Sequence, residues 1–256
     1  MRLLHFDKSG RLAWSVFSSD IPPYAILSHT WDIDGFTFED LANRTGESKA
    51  GYRKILFCSK RAARDHLQYF WVDTCCIDKW NLDELSNAIN SMFRWYQNAA
   101  KCYVFLSDVP TSTVVNAHLH QNQWEASFRK SRWFTRGWTL QELIAPASVE
   151  FFSSQLQRLG DKQSLEQQIH EITGIPIKAL HGHPLGNFSV VERMAWAKSR
   201  QTTQAEDGAY CLLGIFGISM LLDYGEGKEN ALNRLQKEVN ESFKKGTTYT
   251  SLFDKY

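Results

Sequence analysis

The sequence predicts an α/β fold, a mostly parallel sheet flanked by helices and followed by a helical C-terminal part. Four short runs rich in aromatic and branched residues have strand composition: Tyr24–Ser28, Tyr69–Asp73, Cys102–Leu106 and Val149–Phe152. Stretches with helical apolar spacing separate the first three of these runs. After Phe152 the spacing is helical almost throughout. Strand and helix in alternation imply right-handed crossovers, and hence a parallel sheet.

Each element has its own justification. Between the first two runs, Tyr52 to His66 places Ile55, Cys58 and Ala62 on one helical face. Between the second and third, Leu85, Ile89, Met92, Phe93 and Tyr96 fall on a single stripe. Asn81 precedes that stripe as an N-cap, with Glu84 three residues on as its reciprocal acid. Helical spacing recurs over 161–174, 189–200, 206–216 and 228–244, with Ser189 and Glu192 forming a second capping box. Leu180 to Gly186 is loop-like and is a candidate hinge. The division expected is a core over 1–155, a helical part over 156–246 and a tail or linker stub over 247–256.

Composition narrows the function. With 256 residues, 43% of them apolar, the chain can bury a sizeable core. A net charge of +1, with Lys and Arg spread along the chain, argues against a nucleic-acid partner. No run approaches the ~18 consecutive apolar residues that mark a membrane span. Met1 to Asp7 is too short and too charged for a signal peptide, so a cytoplasmic location is expected. Five cysteines, an odd number without C-x-x-C spacing, read as buried reduced thiols. His118 with His120 and His181 with His183 lie in polar stretches without neighbouring cysteines, so no metal is expected.

Ligands of open parallel sheets bind beyond the carboxyl ends of the strands. Those ends hold Ser28, His29 and Trp31, then Asp73 to Asp78, then Ser107 and Asp108, a polar set beside an aromatic that suits a ribose or amide ligand. Ser28 and Asp73 could instead cap helices, and Trp31 could simply cover the core. Glu142 follows Trp138 by four residues on a predicted helix, so acid and indole share a face. The alternative for Glu142 is a solvated helix charge.

Six ordered motifs carry a resemblance that spans nearly the whole chain. They are Tyr24-Ala-Ile-Leu-Ser-His-Thr-Trp31, Phe70-Trp-Val-Asp-Thr-Cys-Cys-Ile-Asp78, Glu84 to Met92, Arg136-Gly-Trp-Thr-Leu-Gln-Glu-Leu143, Glu206 to Phe216 and Tyr224-Gly-Glu-Gly227. Together they resemble the fungal heterokaryon-incompatibility (HET) domain. Asp32 and Gly208 depart from it, standing where that family usually has Gly and Arg. The resemblance implies a cell-death effector of self/non-self recognition. It also implies self-association driven by a receptor with a nucleotide-binding oligomerisation domain.

The order of elements, with Ser131-Arg-Trp and Trp-x-x-x-Glu, is also similar to the TIR domain and its flavodoxin-like sheet. That likeness implies NAD+ as substrate, with no permanently bound cofactor. Mapped by motif, Glu142 is the catalytic carboxylate and Trp138 its packing wall. Ser28, His29, Trp31 and Asp73 are the candidate nucleotide contacts. Glu206, Asp207, Tyr224 and Glu226 are expected to organise the C-terminal helices, with Glu226 able to reach the site. The alternative is a non-enzymatic module that signals by assembly.

Overall fold

The computed structural model describes residues 1–31, 34–111 and 121–244. The expected tail over 247–256, His118, His120 and Asp32 lie outside the described residues. The strands are β1 (Arg2–Phe6), β2 (Leu12–Val16), β3 (Tyr24–His29), β4 (Tyr69–Trp71), β5 (Lys101–Phe105), β6 (Val149–Phe152) and β7 (Arg158–Asp161). They form one sheet of order β2-β1-β4-β3-β5-β6-β7. The central four, β4-β3-β5-β6, are parallel, and they are the four runs with strand composition. Counted among themselves they lie in the order 2-1-3-4, so the connections reverse direction at β3. That reversal is the topological switch point of a doubly wound sheet, at which crevices open.

The sheet is mixed at both edges, which the sequence pattern did not reveal. β1 pairs antiparallel with β2 and, at Leu4 against Phe70, with β4. The hairpin closes where Asp7 accepts hydrogen bonds from the backbone N–H groups of Ser9 and Arg11, with Gly10 at a φ of +77°. β7 pairs antiparallel with β6. It follows residue 155 and yet completes the sheet, before the chain becomes helical. Such edges need only a short turn, and their half-exposed strands carry weak apolar signals.

The helices are α1 (Phe38–Asn43), α2 (Ala50–Arg64), α3 (Asp73–Cys76), α4 (Leu82–Asn98), α5 (Gln121–Arg129) and α6 (Thr139–Ile144). After the sheet come α7 (Glu166–Thr173), α8 (Ile177–Leu180), α9 (Val190–Ala195), α10 (Asp207–Tyr210), α11 (Leu213–Phe216) and α12 (Lys228–Lys244). α2 packs on β3, β4 and β5, while α4 and α6 touch each other and α6 touches β3. Buried Phe128, Trp133, Phe134 and Phe151 meet largely edge to face beside β6.

Asn81 caps α4 by accepting from the backbone N–H of Glu84, as its sequence implies. The reciprocal half does not form. The Glu84 carboxylate accepts instead from the Asp78 N–H and pairs with Arg2. The Ser189 and Glu192 box is complete, and Thr37 with Asp40 makes another at α1. The helical stretch over 206–216 divides into α10 and α11. α11 lies so close to α4 that a Cβ on Gly214 would sit 2.0 Å from Phe93 Cβ. That approach fastens the C-terminal helices to the helix beside the sheet's switch point.

Candidate functional site

The carboxyl end of β3 delivers Ser28 and His29, and the exit from β4 delivers Asp73. Asp73 opens α3 rather than ending a strand, and the extended Val72 takes the cap position. The Asp73 side chain is therefore available to other partners. α6 begins after Trp138 and carries Glu142 on its first turn, which puts both residues on one face as their spacing requires. Arg200 anchors the start of α6, donating to the Arg136 carbonyl at 2.9 Å and to Thr139 Oγ1 at 2.8 Å. The Arg136 and Gln201 backbones bridge beside it, and a Cβ on Gly137 would come within 2.4 Å of Thr202. Glycine is thus needed where the Gly-Trp motif meets the C-terminal segment.

These elements enclose a cavity of about 320 Å³. Five of the six residues singled out from the sequence line it: His29, Trp31, Asp73, Trp138 and Glu142. Ser28 is fully buried behind them and donates its hydroxyl proton to Glu142 Oε2. Trp133 Nε1 in turn donates to Ser28 Oγ at 2.7 Å. A directed chain therefore runs from indole to hydroxyl to carboxylate. Glu142 is 7% exposed, so the solvated helix charge is excluded. Burial pushes its pKa up to about 8 and the Asp73 charge adds to this, while Ser28, Tyr96 and Arg200 oppose the rise.

The rim is different. Asp73 accepts from Trp31 Nε1 at 2.7 Å, lies 3.2 Å from His29 Nε2 and stands 4.0 Å from Lys79 Nζ. Burial works against its charge, but His29, Lys79 and Trp31 outweigh it and hold the carboxyl at about 2. Trp31 is 51% exposed, so it does not serve as core cover. Its ring carries Lys79 Nζ at 3.4 Å from the centroid, a cation–π contact.

On the opposite wall, Asp207 accepts from Trp138 Nε1 and from the Tyr224 hydroxyl, both at 2.9 Å. Trp138 lines the cavity with Glu142, but its polar edge belongs to Asp207; the indole in the Glu142 chain is that of Trp133. Asp207 and Tyr224 line the cavity too, beyond their expected role in the C-terminal helices. Glu206 does hold that region together, accepting from the Gly225 and Gly227 N–H groups. Glu226 binds Arg234 and Tyr210 and is absent from the cavity wall.

Ser107 and Asp108, at the third strand end, do not join the site. Asp108 accepts from Ser131 and the Arg132 N–H. All five thiols are buried and unbridged, and burial raises the pKa of each. That environment suppresses thiolate chemistry. Among the described residues no group of three His, Cys, Asp or Glu side chains is arranged to hold a metal ion. No helix among them is long and apolar enough to cross a membrane.

Comparison with known proteins places the chain. A family model described as Heterokaryon incompatibility protein (HET) matches residues 24–117. Vegetative incompatibility protein HET-E-1 of Podospora anserina is 55% identical over 245 residues, which cover 94% of this chain. The chain belongs to the HET family. It spans 18% of the length of that relative. No solved structure matches this HET chain. The residues matched by the family model include the β3 and β4 ends with Ser28, His29, Trp31, Asp73 and Lys79, whereas Trp133, Trp138, Glu142 and Asp207 follow them.

The residues missed by sequence reasoning are Trp133, Lys79 and, as cavity walls, Asp207 and Tyr224. Trp133 and Asp207 stand inside quoted motifs, but their partners are distant in sequence. Ser28 to Trp133 is a separation of 105 residues and Trp138 to Asp207 one of 69. Spacing along the chain carries no such information.

Proposed function

We propose that this HET domain is a cell-death effector of vegetative incompatibility, and that its cavity cleaves NAD+ to nicotinamide and an ADP-ribose product when protomers associate. The single observation that carries the chemistry is the buried Glu142, hydrogen-bonded through Ser28 to Trp133, at the bottom of a cleft beside the switch point. The incompatibility role is supported by the named relative. Self-association through a larger receptor is an extension of that role.

The chemistry follows from the substrate's charge. Nicotinamide in NAD+ is a cationic leaving group, so the C1′–N bond breaks with its electron pair passing to nitrogen, and nicotinamide departs neutral. Positive charge develops at C1′ and the ring oxygen, as in other glycoside cleavages. Water adds to C1′, and its proton goes to Glu142. A carboxyl group with a pKa near 8 suits this work. The arriving cation draws it into the charged form, its resting proton leaving to solvent, and the carboxylate then stabilises the oxocarbenium-like centre in a site of low polarity. Asp207 and Asp73 lie on the cavity wall where ribose hydroxyls can be held.

The test is direct. Purified protein, alone and clustered through a fused oligomerisation tag, is incubated with NAD+ and nicotinamide release is followed. Release that rises more steeply than protein concentration is expected of a site activated by association. A clustered protein that kills cells yet releases no nicotinamide overturns the enzymatic reading in favour of signalling by contact.

A further inference from the structure

The cavity at Glu142 has a neighbour. A second cleft of about 420 Å³ shares His29, Trp31, Ile77 and Lys79 with it, so Trp31 and Lys79 form a ridge between two chambers. Phe36, Phe38, Ile55 and Trp80 make the second chamber largely aromatic and apolar. Its acids are Glu39 and Asp78. Cations gather near the ridge. Lys79 lies on it, and Lys54, which lines the second chamber, donates to the Thr30 carbonyl at 2.8 Å and lies 3.4 Å from His29 Nδ1. The other cation on the first chamber, Arg136, is bonded to Thr203 on the C-terminal wall.

We infer that the second chamber binds the adenosine half of a dinucleotide whose diphosphate crosses the Trp31–Lys79 ridge. The inference rests on the proposed function for the chemistry at Glu142 and adds how the substrate is read. The charge pattern decides it. Asp207 in the first chamber and Glu39 and Asp78 in the second accept from hydroxyl and amino groups, while at the ridge Lys79 and Lys54 stand against the single Asp73 charge and leave a cation for an anion. A ligand with a nucleoside at each end and negative charge in the middle matches that sequence. The two clefts are each of the size of small-ligand sites, which run from about 300 to 1,000 Å³, and the aromatic walls suit a purine face. A mononucleotide would leave the second chamber empty.

Adenosine diphosphate is the probe, titrated calorimetrically into the whole chain. Trp80 is 82% exposed and lines only the second chamber, so Trp80→Ala spares the core. Trp80→Ala and Lys79→Ala are each expected to weaken binding about tenfold, by loss of a stacking face and of a ridge charge respectively. Val191→Ala, at an exposed residue of α9 that lines neither chamber, should bind the probe as the wild type does. In turnover, Trp80→Ala should raise the KM for NAD+ relative to that for nicotinamide mononucleotide about tenfold. The two readings fail separately. Binding of the probe that depends on Trp80 and Lys79, without any NAD+ cleavage, keeps the second chamber and removes the chemistry. Cleavage with selectivity unchanged by Trp80→Ala, or no binding of the probe at all, removes the second chamber.

Discussion

Glu142 and Asp73 line one cavity and are driven in opposite directions. Glu142, on the floor, has a neutral chain of Ser28 and Trp133 as its nearest support, and its pKa is pushed up to about 8, chiefly by burial. Asp73, at the rim, has His29, Trp31 and Lys79 around it and is held at about 2. The floor thus stores a proton at neutral pH while the rim stores a fixed negative charge. Pairs of acids separated in this way are how one site divides its tasks. Here the floor is suited to proton and charge stabilisation, and the rim to holding the aromatic and cationic groups that frame the entrance.

The largest effect is expected at Glu142. Glu142→Gln keeps the shape and removes the charge, and is expected to reduce NAD+ turnover about a hundredfold or more while the fold persists. Turnover close to wild type would show that the floor carboxylate is not part of the chemistry. Ser28→Ala strips the floor of its internal support. It leaves the Trp133 N–H without its acceptor, at a cost of about 1–3 kcal/mol in denaturant unfolding. Because Ser28 favours the charged form of Glu142, the pH midpoint of turnover should also move upward. An unchanged midpoint would detach Ser28 from the carboxylate.

Stability against pH reads the same contrast with opposite signs. The folded chain holds a proton on Glu142 that the unfolded chain releases above the ordinary value of 4.5. Its contribution is therefore complete below that value and is lost as pH rises through about 8. Glu142→Gln should gain on the wild type by roughly 4 kcal/mol between pH 5 and pH 9. Asp73 behaves conversely, contributing above 3.8 and losing its contribution as pH falls through about 2. Parallel melting-temperature profiles for wild type and Glu142→Gln would refute the assignment of the raised pKa to this residue. The smallest effect is expected of Asp73→Asn, a several-fold rise in the KM for NAD+. Since the Asp73 charge raises the Glu142 pKa, the midpoint of turnover should fall in this variant. A midpoint that stays where it is would mean that the two acids are not coupled through the cavity.

The legible part of the fold was the part with strong periodicity. The four central strands are buried on both faces and read as apolar runs, and α4 and α12 carry long stripes that end near their expected bounds. The edge hairpin and β7 escaped because short, half-exposed strands resemble loops. Of the residues named at strand ends, His29, Trp31 and Asp73 line the cavity with Ser28 buried behind them, and the two named for sharing a helix face, Trp138 and Glu142, line it too. The strand-end rule also included Ser107 and Asp108, which the fold sends elsewhere.

Residue order thus settles local matters: which segments are strands or helices, which residues stand at strand ends, and that Trp138 and Glu142 look the same way. Long-range packing settles the company each residue keeps. It gave Trp133 rather than Trp138 to the Ser28 and Glu142 chain, turned Asp207 and Tyr224 into the facing wall, and set Lys79 over Trp31. The physical reason is that helical and strand periods fix directions within a few residues. The environment of a buried acid, and hence its pKa, is instead set by groups tens of residues away that the crossovers bring to one crevice.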